Sequence, residues 1–249
     1  MHLFKCQGNV LPTTQYGIFT ELVRSCIYRH LNKTQKQNTG ELKSWDHLPF
    51  QKLCKLAYSG IMEDRVVFDL SSDFNTLGLL QGVESFAIRG KSYSFNFLHL
   101  TIQELLAAIY MATKLEEKEQ TEQFNKLFGK LRFAAVFQFF AAKTKLRTSG
   151  ISNIVKQVAQ SRNEALLVSL IHCLFEAQDS SLCQLVADEL HPTLCLGNTS
   201  LNPADCYCLG YFLTYCKDFE VKLSGCGIAD EHCKALFGQG EVHNLRYLK

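Results

Sequence analysis

The sequence predicts a mainly α-helical protein with one small β-hairpin and a β/α repeat toward its C-terminal end. Three observations carry that prediction. Apolar residues recur at helical spacing through most of the 249 residues. Around residues 86–97 the period changes to alternation, with Tyr93, Phe95 and Phe97 on one strand face. Beyond residue 190 one apolar pattern occurs twice, 27 residues apart.

The elements divide into four segments. Residues 1–40 read as the end of a helical unit. Leu11-Pro12-Thr13-Thr14 breaks the chain, and a helix follows from about Tyr16 to Leu31, with Phe19, Leu22, Val23, Cys26 and Ile27 as its stripe. Asn32 to Gly40 is polar, with Lys33, Lys36 and Lys43 in or beside it, and reads as a solvated loop. Residues 41–115 form a helix-and-hairpin unit. Leu48, Leu53, Leu56, Ala57 and Ile61 mark a helix that Gly60 would end at C′. Phe86-Ala87-Ile88 and Tyr93-Ser94-Phe95 flank Arg89-Gly90-Lys91-Ser92, with Gly90 as the turn glycine. Thr101 and Glu104 then supply an S/T-x-x-E capping box, and Ile102, Leu105, Leu106 and Ile109 form the stripe of the helix it starts. Helices joined to such a hairpin fit a winged helix.

Residues 116–190 read as helical throughout. Phe124, Leu127, Phe128, Leu131, Phe133, Val136, Phe137 and Phe140 crowd the first part; Leu166, Leu167, Leu170, Ile171, Leu174 and Phe175 crowd the second. Aromatic density at this spacing is helix-packing core. The run Glu116, Glu117, Lys118, Glu119 and Glu122 reads as the solvated face of a helix end.

Residues 191–249 carry the repeat. Leu194-x-Leu196-x-x-Thr199-x-Leu201 recurs as Val221-x-Leu223-x-x-Cys226-x-Ile228, and Cys206 and Leu209 recur as Cys233 and Leu236. Leu248 lies one further period beyond Val221. L-x-L-x-x-[NC]-x-L followed by a helix is the leucine-rich-repeat signature, with about two repeats here. Cys226 takes the Asn/Cys position, where a small side chain turns inward under the loop. Because Lys249 falls inside the third strand and a solenoid needs about three repeats, the chain reads as a fragment.

Composition excludes several classes. Hydrophobic residues make up 47%, enough for an ordinary core, and the net charge of +2 favours no particular partner. Nucleic-acid binding calls for a clustered basic face, and the helix from Thr101 to Thr113 has neither Lys nor Arg. The longest nearly apolar run, Phe133 to Ala142, is too short to span roughly 30 Å of hydrocarbon. Met1-His2-Leu3-Phe4-Lys5-Cys6 lacks the regions of a signal peptide. Of eleven cysteines, eight lie from Cys173 to Cys233, without a CxxC pair, so they read as reduced thiols of a cytoplasmic protein and not as a zinc site.

Candidate chemistry is sparse. Ser85 to Ser92 ends in Gly90-Lys91-Ser92 but has Ser85 where a P-loop needs its first glycine, and it enters a strand where a P-loop enters a helix. His30, His47, His172 and His191 show no metal-ligand spacing. Cys206, Cys208 and Cys216 have no adjacent base in sequence, as a nucleophile would require. His99 differs, because it stands just before a helix N-terminus, where unpaired N–H groups and the dipole favour phosphate.

The stretch Phe97-Leu98-His99-Leu100-Thr101-Ile102-Gln103-Glu104-Leu105-Leu106-Ala107-Ala108-Ile109-Tyr110 resembles the winged helix of the NACHT module in NOD-like receptors. The resemblance extends along the chain. Gly8 to Thr14 with Phe19-Thr20-Glu21-Leu22 is similar to the end of the first NACHT helical domain, which would be residues 1–40. Leu53 to Ile61 is similar to the start of the winged helix, residues 41–115. Phe124 to Leu146 and Leu170 to Asp179 resemble the second helical domain, residues 116–190, with leucine-rich repeats at 191–249. The resemblance implies that His99 would contact the β-phosphate of ADP and keep the module closed. It implies ADP or ATP as cofactor of an intact receptor, none for this chain alone, and no metal. It further implies protein partners through the repeats, and oligomerisation only of the intact receptor. The family's Walker A and Walker B segments have no counterpart here, so no catalytic residue and no enzymatic activity are expected. Two other readings are a leucine-rich-repeat scaffold without nucleotide switching, and an ATPase in its own right.

Overall fold

The computed structural model describes residues 12–33, 48–69, 77–87, 90–146, 149–161, 163–190, 192–197, 199–217, 219–238 and 245–248. It is mainly helical with a small β-hairpin, as the apolar periodicity requires. The chain divides into two compact units, Met1–Leu115 and Glu116–Lys249.

In the first unit, helix α1 (Gln15–Lys33) starts after Pro12, with Thr14 Oγ1 accepting from the Gly17 N–H at 3.2 Å. It buries Thr20, Val23, Ile27 and Leu31, while Phe19, Leu22 and Cys26 are only half-buried. The predicted loop from Asn32 therefore begins later, and its remainder, with Lys36 and Lys43, lies outside the described residues. Helix α2 (Leu48–Glu63) buries Phe50, Leu53, Cys54, Ala57 and Gly60, whereas Leu48 is exposed. Gly60 does not end this helix. Asp64 does, at φ +59, with its N–H donating to the Ile61 carbonyl. Gly60 serves a close approach instead. A Cβ there would stand 2.6 Å from both Gln103 Nε2 and Phe68 Cζ.

Strands β1 (Val67–Asp69), β2 (Leu80–Ala87) and β3 (Gly90–Phe97) form an antiparallel sheet in the order β1-β3-β2. The register pairs Ala87 with Gly90, so Lys91 and Ser92 belong to the strand and Gly90 opens it. This corrects the predicted turn at residues 89–92; residues 88 and 89, which join the strands, lie outside the described residues. The strand setting of Gly90-Lys91-Ser92 leaves no helix N-terminus beside it. Phe95 and Phe97 point into the core, and Phe97 meets Phe68 edge-on at 5.8 Å. Helix α3 (Leu100–Lys114) buries Ile102, Leu105, Leu106 and Ile109, as the stripe predicts, and packs on α2 through the Tyr58–Tyr110 stack at 5.0 Å. Gln103, 1% exposed, is satisfied by donating from Nε2 to the Arg65 carbonyl at 2.9 Å.

The second unit begins with α4 (Glu117–Leu127), whose first turn is closed by Glu119 Oε2 accepting from the Glu116 N–H. A short 3₁₀ turn, Leu131–Phe133, leads to α5 (Ala134–Thr144), then α6 (Ser149–Ser161), α7 (Glu164–Ala177) and α8 (Ser180–Leu190). Phe124, Phe137, Phe139 and Phe140 are fully buried, and Phe124 stacks on Phe128 at 4.6 Å. Leu131, assigned to that core from its spacing, is 90% exposed because the 3₁₀ turn breaks the helical phase.

Strands β4 (Thr193–Cys195), β5 (Phe219–Lys222) and β6 (Leu245–Leu248) form a parallel sheet in sequential order, with α9 (Pro203–Leu213) and α10 (Asp230–Phe237) as crossovers. Leu194 pairs with Val221 and Val221 with Leu248, one repeat period each. Leu194, Leu196, Leu201, Val221 and Leu223 are buried between strands and helices. Cys226 is buried, and its thiol donates to the Leu196 carbonyl at 2.8 Å, tying one repeat to the one before. The equivalence of Cys206 and Cys233 holds for position but not for burial: Cys206 is buried and Cys233 exposed. The ten described cysteines form no disulfide.

Candidate functional site at the start of helix α3

Helix α3 begins two residues earlier than the Thr101–Glu104 pattern implies. Its N-cap is His99, with extended backbone at φ −153° and ψ 145°. Nδ1 of the ring accepts from the Thr101 N–H at 3.2 Å and lies 3.1 Å from Thr101 Oγ1. The expected capping box is therefore not formed. Thr101 stands at the second helical position, and an imidazole supplies the acceptor that Ser, Thr, Asp or Asn gives most helices. The strand before it fixes the approach. Leu98 N–H donates to the Leu79 carbonyl, so the chain leaves β3 hydrogen-bonded to the segment before β2 and turns directly into α3.

His99 is exposed, as are its neighbours Leu98 (45%) and Leu100 (50%). The imidazole is not walled off by hydrocarbon. Below it, Glu104 is half-buried; burial pushes its carboxyl above the usual glutamate range, and the nearby His99 pulls it back in part. The site thus offers an accessible ring, the first turn of a 15-residue helix and an exposed apolar rim. Such a place suits an anionic group that also presents apolar surface.

Sequence reading missed a second constellation, in the other unit. His172 on α7 donates from Nε2 to Asp205 Oδ1 at 2.7 Å, and its Nδ1 lies 3.4 Å from Cys208 Sγ on α9. Asp205 Oδ2 also accepts from the Asn202 N–H at 2.8 Å, closing the cap of α9. Burial alone would raise the Asp205 carboxyl. The hydrogen bonds from His172 and Asn202 outweigh it and hold the group below the usual aspartate range. The order Asp–His–Cys has the connectivity of a nucleophilic triad. Its chemistry points elsewhere: burial, reinforced by Glu176 and Asp205, pushes the Cys208 thiol up to about 12. At neutral pH it is a thiol donating to Nδ1, a structural tie between α7 and α9. The one local signal was the Asn202-x-x-Asp205 capping pair; His172 lies 33 residues from Asp205, beyond any sequence pattern. Of the other histidines singled out, His47 and His191 lie outside the described residues. Among the described residues no group of three or more His, Cys, Asp or Glu side chains is arranged to hold a metal ion.

Two curated relatives are similar to this chain over most of its length. Protein NLRC5 of Mus musculus is 25% identical over 283 aligned residues, covering 97% of this chain and 15% of that protein. The NACHT, LRR and PYD domains-containing protein 1 homolog of Danio rerio is 26% identical over 269 residues, covering 88% of this chain and 19% of that protein. The resemblance to NOD-like receptors is borne out along nearly the whole chain. The chain spans less than a fifth of the length of either relative, and no family model matches it. Among the described residues, no helix is long and apolar enough to cross a membrane.

Proposed function

We propose that this chain is a regulatory, protein-interaction portion of a cytoplasmic NOD-like innate immune receptor and has no catalytic activity of its own. Its first unit acts as the winged helix of a NACHT module, and His99 contacts a phosphate of ADP when the phosphate-binding half of the module is supplied. The parallel strand–helix repeat acts as the start of a leucine-rich-repeat array that takes part in autoinhibition or ligand sensing through protein contacts. The observation that carries this reading is the accessible His99 ring at the N-terminus of α3, within the Phe97-Leu98-His99 run that the family resemblance marks. Coupling of this kind needs two states that differ in contact with the nucleotide.

The test uses His99→Asn in a NOD-like receptor carrying this chain together with a P-loop segment. Asparagine is a strong N-cap, so the helix start is preserved while the ring's outer nitrogen is lost. The expected result is lower ADP content in the purified protein, read chromatographically after denaturation, together with higher basal oligomerisation. ADP content equal to the parent's would remove His99 from the nucleotide site. Tight ADP binding by the 249-residue chain alone, measured calorimetrically, would instead favour an autonomous nucleotide-binding protein.

A further inference from the structure

The partners of the His99 ring settle which of its nitrogens carries a proton. A backbone N–H can only donate, and that of Thr101 meets Nδ1 at 3.2 Å. Nδ1 is therefore the acceptor, and the single proton of the neutral ring resides on Nε2. Thr101 Oγ1, 3.1 Å from the same nitrogen, fixes the ring from a second side. The Thr101 N–H belongs to the first helical turn and has no partner inside the helix, so pairing with the ring competes with no backbone bond. Among the described residues no group pairs with Nε2, which is the remaining polar atom of an exposed side chain.

We propose that Thr101 is a positioning residue whose amide and hydroxyl hold the His99 imidazole as the Nε2–H tautomer, leaving that one donor for a phosphate oxygen. The proposal rests on the reading of His99 as a phosphate contact. A ring so held makes one directed hydrogen bond from a neutral donor, where an unrestrained surface histidine samples several rotamers and both tautomers. Ordering the ring before the ligand arrives lowers the entropy lost on binding. Glu104, on the same helix, interacts electrostatically with the ring.

The test is nitrogen NMR on the histidine-labelled 249-residue chain, at a pH where titration shows the His99 ring to be uncharged. Nε2 is expected to resonate as a pyrrole-type, proton-bearing nitrogen and Nδ1 as a pyridine-type one. Thr101→Pro deletes both contacts at a position where proline is tolerated, in the first helical turn. It should move the two resonances toward a tautomer average, and Thr101→Ser should restore the parent pattern. A second readout is independent of that proline folding correctly. His99→Ala should speed exchange of the Thr101 amide about fivefold, the loss of a cap of about 1 kcal/mol, and His99→Asn should slow it again. A proton on Nδ1 of the parent ring, or a Thr101 amide indifferent to His99→Ala, would overturn the proposal. Failure of the nucleotide reading looks different: ADP content would be unchanged by His99→Asn while the ring nitrogens still report Nε2–H.

Discussion

At the residue scale, two histidines do related work with opposite consequences. His99 uses Nδ1 to cap a helix and leaves Nε2 for solvent or a ligand. His172 commits both nitrogens, one to Asp205 and one to Cys208, and is largely enclosed. The first can take part in binding; the second joins two helices. The Asp205 carboxyl gives the joint a pH signature. Its folded value lies below the ordinary aspartate value of about 3.9. A carboxylate depressed on folding contributes stability that is complete above the unfolded value and is lost as pH falls through the folded one. Chemical denaturation of the parent should therefore show an acid-sensitive component between about pH 5 and pH 2 that Asp205→Asn removes. At neutral pH the same substitution should destabilise the protein by about 1–3 kcal/mol, because it weakens a charge-assisted bond to His172. An acid limb unchanged in the variant would assign that sensitivity to other carboxyls.

At the element scale, the helices were legible because burial imposes a 3.6-residue period whatever the partner. The stripe of α3 comes directly from that period, and the core positions of β4 and β5 from the L-x-L alternation and its recurrence 27 residues on. What failed to show depends on contacts across the fold. Gly60 matched a helix terminator by type, yet it lies inside α2 because Gln103 and Phe68 press against it. Gly90 looked like a turn residue, yet strand register places it opposite Ala87. The three residues of β1 are too few to show alternation. Thr101 and Glu104 met the capping pattern, but His99, one residue before the helix, took the cap. The site residue itself was visible as a histidine before a helix; its role as the cap was not. The repeat supplies an element-scale prediction. Cys226 bonds the carbonyl of Leu196 in the preceding turn, which also accepts from the Thr199 N–H at 3.3 Å, so Cys226→Ala should remove the shorter of two bonds to that carbonyl and leave the longer one. The expected loss is about 0.5–1.5 kcal/mol, measured by denaturant midpoint at constant slope. Cys233→Ala, at the exposed counterpart of Cys206, should change stability by less than about 0.5 kcal/mol. Equal effects of the two substitutions would mean that the inward thiol bond contributes nothing.

At the scale of the whole molecule, each compact unit has its own core: Phe68, Leu105 and Leu106 belong to the first, Phe124, Phe140 and Phe212 to the second. The chain passes from one to the other at Leu115 and Glu116, both with extended backbone. Separate cores predict separate unfolding, and two glycines provide matched probes. A Cβ at Gly60 would meet Phe68 Cζ at 2.6 Å within the first unit. A Cβ at Gly210 would stand 2.2 Å from the Leu236 carbonyl oxygen, where α9 and α10 pack within the second. Neither clash can be relieved without moving packed groups, so each alanine should cost about 1–3 kcal/mol. Differential scanning calorimetry of the 249-residue chain should resolve two transitions. Gly60→Ala should lower one of them and Gly210→Ala the other, each leaving its counterpart in place. If either substitution lowered a single shared transition, the two cores would melt as one cooperative body. If the transitions separate, each unit is stabilised by its own core and is an independent folding body.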